Sequence, residues 1–214
     1  MKVVVIGATG GTGREIVRRA LAVGHEVTAL VRDRQKATTL LPGAPLVQGD
    51  ARDPAAVRDA LVGNEAVISA LGTRKITFVR PVTLMSEATR TLIGVMRGAG
   101  LSRLICITGL GAGDSAGHGG FLYDRIIKPI VLRTIYQDKD RQEALVSASD
   151  LDWVLVRPTV LTDKPATGRI RATTDLTGIQ GGTIPRADVA AFCVAQLGSD
   201  EWLRRTPLIT TPPA

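Results

Sequence analysis

A chain of 214 residues, 44% hydrophobic and with two cysteines, fits one domain and can close its own core without disulfides or metals. Its formal charge of +7 raises a nucleic-acid reading, but the basic residues are scattered, and three Phe, two Trp and two Tyr leave few stacking surfaces. No apolar run approaches the ~20 residues that cross a bilayer, and with Met1-Lys2 leading straight into a strand no signal peptide is expected. The expectation is a cytoplasmic protein without nucleic-acid or membrane partners, whose positive charge draws phosphate-bearing cofactors and anionic substrates.

Lys2–Ile6 reads as a buried strand that stops on Gly7, and Gly11–Val23 as a helix with Ile16, Val17, Ala20 and Leu21 on one face. A strand follows at Glu26–Val31, a short helix at Arg34–Leu40 and a strand at Pro45–Gln48. Asp53-Pro54 caps and opens a helix to Leu61. Ala66–Ala70 is a strand, Pro81–Ala99 a long amphipathic helix, and Arg103–Ile107 a strand. Residues 108–120 hold six glycines, which suggests a loop with little intrinsic stiffness. Helices are expected at Phe121–Thr134 and Gln137–Ser147, and a strand at Asp152–Val156 stopped by Pro158. A strand near Arg169–Ala172, a helix at Ala187–Leu197 and a strand at Pro207–Thr210 finish the chain. Alternating strands and helices predict an α/β fold with a doubly wound, mostly parallel sheet. Residues 1–107 would form the cofactor core, and 108–214 would complete the sheet and carry a small substrate region.

In such sheets ligands bind beyond the carboxyl ends of the strands. After the first strand come Gly7, Thr9, Gly10, Gly11, Thr12 and Gly13, a turn that points backbone N–H groups and a helix dipole at a diphosphate. The glycines read equally as G-x-x-G-x-x-G or G-x-x-x-G-x-G, and the threonines either meet phosphate oxygens or cap the turn. The tip of the second strand is Arg32, nineteen residues past Gly13, with Lys36 close behind, which favours the 2′-phosphate of NADP(H) over NAD(H). Asp33 beside it is the alternative ribose ligand of NAD(H). Asp50 and Ala51 after the third strand suit adenine; Leu71, Gly72 and Arg74 after the fourth let the dinucleotide pass.

The segments Gly-Ala-Thr-Gly-Gly-Thr-Gly at 7–13, Leu-Val-Arg-Asp at 30–33, Gly-Asp at 49–50 and Leu-Gly-Thr-Arg at 71–74 resemble the atypical short-chain dehydrogenase/reductases. Within them the likeness is to the NAD(P)H-binding, NmrA-like group that includes flavin reductase (biliverdin-IXβ reductase). Leu-Asp-Trp-Val-Leu-Val-Arg-Pro at 151–158, Asp-Lys-Pro-Ala-Thr-Gly at 163–168 and Arg-Ala-Asp-Val-Ala at 186–190 extend it over nearly the whole chain. The resemblance implies a Rossmann fold, with Gly7, Thr9, Gly10, Thr12 and Gly13 on the diphosphate and Arg32 and Lys36 on the 2′-phosphate. It implies Asp50 and Ala51 at adenine, Leu71, Gly72 and Arg74 along the dinucleotide, and Pro158, Thr159 and Val160 near the nicotinamide. One departure stands out: flavin reductase has a serine after the fifth strand where this chain has Gly109, and Thr108 is the nearest hydroxyl.

Most short-chain dehydrogenases pair a tyrosine with a lysine four residues on. Here Tyr123 is followed at that distance by Ile127 and Tyr136 by Asp140, while Lys139 lies at spacing three. Carbonyl–alcohol chemistry by that route is therefore not expected. Hydride delivery to a conjugated acceptor such as a flavin or quinone needs only close positioning, and Thr108, His118 and Tyr123 are the candidate catalytic residues. The alternatives are a non-catalytic NAD(P)-binding redox sensor of NmrA type and a sugar-nucleotide epimerase or dehydratase. A metal site is not expected, and the protein would act on a small-molecule acceptor as a monomer or homodimer.

Overall fold

The first strand, β1 (Lys2–Ile6), is a β-branched run buried on both faces. Val3 and Val5 join a hydrophobic cluster on one side of the sheet, and Val4 and Ile6 one on the other, as the two-residue period of a strand requires. The computed structural model describes residues 1–73, 81–119, 125, 132–179 and 181–213. After β1 come α1 (Gly11–Ala22), β2 (Glu26–Val31), α2 (Arg34–Leu40), β3 (Leu46–Gln48), α3 (Pro54–Leu61) and β4 (Ala66–Ser69). Then follow α4 (Leu84–Ala99), β5 (Arg103–Ile107), α5 (Arg133–Ser147), β6 (Asp152–Pro158), β7 (Val160–Thr162), β8 (Arg171–Thr173), β9 (Thr183–Pro185), α6 (Arg186–Ala195) and β10 (Leu208–Thr210).

Eight strands form one sheet in the order β3-β2-β1-β4-β5-β6-β10-β8, all parallel except β8, which runs antiparallel to β10. Helices α1 and α6 cover one face, where Ile16 and Val17 meet the cluster that holds Val189 and Cys193. Helices α3, α4 and α5 cover the other through Val57, Leu92, Met96 and Val146. The architecture is thus the expected doubly wound α/β sheet. From β1 the chain builds outward through β2 and β3, then returns to place β4 on β1's other side. The connections diverge there and open a crevice beyond the carboxyl ends of β1 and β4.

The expected and observed elements differ in instructive places. Strand β6 runs on through Pro158, because Arg157 and Thr159 send their N–H groups to the Pro207 and Ile209 carbonyls, and the proline occupies a position whose missing donor would face the other neighbour. Strands β7 and β9 were not expected; they pair in parallel as a separate two-stranded sheet, Val160 opposite Thr183. Helix α5 begins at Arg133 rather than Gln137. The helix expected at Phe121–Thr134 lies mostly outside the described residues, and its last two residues belong to α5. The glycine-rich segment after β5 forms no strand or α-helix among its described residues, and its start is bonded to β6: Thr108 N and Leu110 N donate to the Val156 and Pro158 carbonyls at 2.9 Å each. Ser115, fully buried, accepts from Gly111 N at 2.9 Å and donates to the Ala112 carbonyl at 2.6 Å. Among the described residues no helix is long and apolar enough to cross a membrane, and no cluster of His, Cys, Asp or Glu is arranged to hold a metal.

Candidate active site

The crevice becomes a cleft of about 620 Å³ whose walls come from the ends of β1, β2, β3 and β4. At its centre the turn from β1 into α1 is packed against the neighbouring strand. Gly7 has a φ of +80°, and a Cβ there would lie 2.6 Å from the Ala70 carbonyl oxygen. A Cβ on Gly13 would lie 2.2 Å from the Gly7 carbonyl oxygen. These two positions accept glycine alone, which draws the backbone amides of the turn together.

Helix α1 is capped at its N-terminus by Gly10, with no side-chain cap and no acidic residue in its first turn. Helices α2 and α3 are capped, by Asp33 onto Lys36 N at 3.0 Å and by Asp53 onto Ala55 N at 2.9 Å. The open donors and positive dipole end of α1 therefore face the cleft, beside Thr9, Gly11 and Thr12 in its lining. That arrangement fits a diphosphate.

Arg32 and Lys36 are exposed on the cleft wall at the tip of β2. Asp33, the alternative ribose ligand, has its carboxylate turned into the start of α2 by the cap. Asp50 and Ala51 also line the cleft, but Asp50 is gripped by Arg52, whose Nε and Nη2 each donate at 2.9 Å. Those bonds hold the Asp50 carboxyl down to about 2, so it is ionised and strictly an acceptor for an amino group. Leu71 and Gly72 also line the cleft, and Gly13 lies just behind it, against Gly7. Arg74 and Tyr123 lie outside the described residues.

A second, mainly apolar pocket of about 290 Å³ adjoins the cleft, and the two share Thr108, Lys139 and Leu161 as lining. Pro158, Thr159 and Val160 belong to this pocket rather than to the cleft. Thr108 is buried, and its hydroxyl donates to Glu143 Oε1 at 2.6 Å. Glu143 in turn accepts from Arg157 Nε at 2.9 Å and Nη2 at 2.6 Å, and Arg157 also reaches Asp114. This buried network fixes Thr108 and the segment after it. His118 is not in the lining of either cavity; its Nδ1 lies 3.2 Å from the Ile179 carbonyl.

Three further residues with ionisable or hydroxyl side chains line the two cavities. Tyr136 and Lys139, three apart on α5, lie on one helix face and both line the apolar pocket. The Tyr136 hydroxyl donates to the Leu110 carbonyl at 2.8 Å, and the Lys139 ammonium donates to the Thr108 carbonyl. Burial lowers the pKa of Lys139, against the pull of Cys106, Glu143 and Asp138. Judging the pair by a spacing of four misses that a spacing of three also brings it to one face. The third residue is Arg186, which lines the cleft from the start of α6, opposite the glycine turn. No local pattern points to it, because only the fold carries its side chain across to Gly11.

Comparison with known proteins gives concordant results. Residues 7–200 match the profile of a family described as NAD(P)H-binding. A Bacillus subtilis (strain 168) protein called uncharacterized sugar epimerase YhfK is 30% identical over 201 residues, 92% of this chain and 88% of its own. Among solved structures, ChuY of Escherichia coli O157:H7, described as an anaerobilin reductase, superposes with a TM-score of 0.83 at 27% identity, each chain covered in full. A short-chain dehydrogenase/reductase of Veillonella parvula DSM 2008 in complex with NADP has a TM-score of 0.79 over 99% of this chain and 94% of its own. At 14% identity that last likeness is one of fold alone.

Proposed function

The chain belongs to the NAD(P)H-binding family, and from that premise we propose that it is an NAD(P)H-dependent oxidoreductase delivering hydride to a flavin, quinone or similar conjugated acceptor. The observation that carries this reading is the shared wall of the two cavities. A polar cleft suited to a dinucleotide opens, across Thr108, Lys139 and Leu161, onto a small apolar pocket suited to a flat ring. In this reading the amides of the glycine turn hold the diphosphate, with Thr9 and Thr12 beside them. Arg32 and Lys36 hold the 2′-phosphate, so NADP(H) is preferred. Asp50 and Ala51 meet adenine, while Pro158, Thr159 and Val160 lie along the nicotinamide side of the acceptor.

Bound NAD(P)H supplies a hydride, and the acceptor must then gain a proton. Lys139 holds one at Nζ on the pocket wall, and its ammonium steadies negative charge growing on an acceptor oxygen or nitrogen. Solvent water returns the proton to Lys139 after release. Thr108, locked onto Glu143, keeps its hydroxyl oxygen fixed at the junction of the cavities. The apolar walls exclude water from the transfer. We expect the protein to act in the cytoplasm as a monomer or homodimer.

The test is direct. Purified protein, NADPH and a panel of FMN, small quinones and a bilin (added because of the likeness to ChuY) should show acceptor-dependent loss of NADPH absorbance. Tight NADPH binding without oxidation across the panel would favour the redox-sensor reading instead. Sugar epimerisation takes support from the name of the Bacillus subtilis relative and from Tyr136 and Lys139 sharing a pocket. Against it, the Tyr136 proton is engaged by a backbone carbonyl, and the pocket offers few partners for sugar hydroxyls.

A further inference from the structure

We propose that Arg186 is a diphosphate-binding residue, parked over the glycine turn by Asp163 and transferred to the dinucleotide when it binds. This rests on the dinucleotide reading of the cleft, and not on any turnover. Arg186 is the first residue of α6, and its side chain crosses to the start of α1, so that a Cβ on Gly11 would lie 2.8 Å from its Nε and 3.0 Å from its Cδ. Gly11 therefore leaves room for the Arg186 guanidinium against the first residue of α1. An arginine fork and an uncapped helix N-terminus each favour an anion, and here they stand side by side.

Among the described residues, one ion pair holds the guanidinium meanwhile. Arg186 Nη1 lies 2.8 Å from Asp163 Oδ1, with the arginine side chain 20% exposed and the aspartate 89% exposed. A pair with one member so open to water is weak and readily exchanged. Asp163 is held in reach by the fold: it follows β7, whose Thr162 is in register with Pro185 just before Arg186. Further on, Thr167 N and Gly168 N donate to Asp188 of α6 at 2.9 and 3.0 Å. The segments 163–168 and 186–190 are thus one unit, which positions a carboxylate to occupy the arginine until a phosphate replaces it.

Fluorescence titration of the full chain with NADPH and with NADH tests the assignment. Arg186→Gln should raise Kd about tenfold for both cofactors alike, since both carry the diphosphate. Arg186→Lys should fall between it and the parent, and Asp163→Asn, which removes the competitor, should tighten both. Thermal melts check that each variant folds, and should Arg186→Gln fail to fold, the other two still decide. Binding by Arg186→Gln within twofold of the parent overturns the proposal. So does weakened binding by Asp163→Asn, which would make the pair a structural latch. A parent that binds neither cofactor sinks this inference together with the proposed function, whereas binding without turnover on any acceptor leaves it standing.

Discussion

Lys139 is the charged side chain lining the apolar pocket among the described residues, and burial keeps its pKa below the ordinary 10.5 of lysine. If it supplies the proton, turnover should fall as pH rises through that lowered pKa, because the deprotonated amine has no proton to give. Lys139→Met should lose about 10²-fold in kcat and show no such alkaline limb, as read from a pH–rate profile. Between the lowered folded-state pKa and 10.5 the unfolded chain binds the extra proton, so the parent's stability should rise with pH across that window. Arg32→Ala should weaken NADPH by about tenfold and leave NADH nearly unchanged in the same titration, since only the former carries a phosphate for the guanidinium. Gly13→Ala drives a methyl into the Gly7 backbone, which cannot swing aside as a side chain would. It should cost about 1–3 kcal/mol in urea unfolding and abolish cofactor binding. The glycine turn and Arg32 were legible in the sequence because their chemistry is local. Lys139 and Arg186 were not, since a motif spacing hides the first and a fold-dependent crossing makes the second.

At the level of elements, two buried carboxylates on α5 tie the molecule together. Asp138 accepts from Met85 N at 2.8 Å and Ser86 N at 3.3 Å, so one helix caps the start of another, α4. Asp138→Ala should leave those buried donors unpaired and cost about 2–3 kcal/mol in a chemical melt. Glu143→Ala would strand the buried Arg157 charge, and a loss of about 3–5 kcal/mol is expected from the same measurement. Neither partnership is written in the sequence, because the partners are 53 residues apart in the first case. The strands β1 to β6 were legible, since each is an apolar run bounded by glycine, proline or a cap. The three-residue strands β7 and β9 pair with each other across a stretch that contains β8 of the main sheet, a partnership no local pattern shows. The glycine-rich segment after β5 takes hydrogen bonds from β6, inside the sheet, and those partners cannot be read from its own residues.

Over the whole molecule, one topological fact generates the site. Because β4 lies on the opposite side of β1 from β2, the chain parts at the crevice and leaves the α1 N-terminus facing open space. Everything with cofactor chemistry on β1, β2 and β3 converges there, while β5, α5, β6 and β7 wall the adjoining pocket. The alternation of strands and helices made this crevice foreseeable, but the pocket's dimensions depend on α5 and β7, whose placement no local pattern announces. A crystal structure of the protein soaked in NADPH tests the account most directly. The diphosphate should lie within hydrogen-bonding range of the amides of Gly11 and Thr12, with the nicotinamide ring at the junction formed by Thr108, Lys139 and Leu161. A nicotinamide turned out to solvent away from that junction, or a cofactor bound anywhere but this crevice, would contradict it.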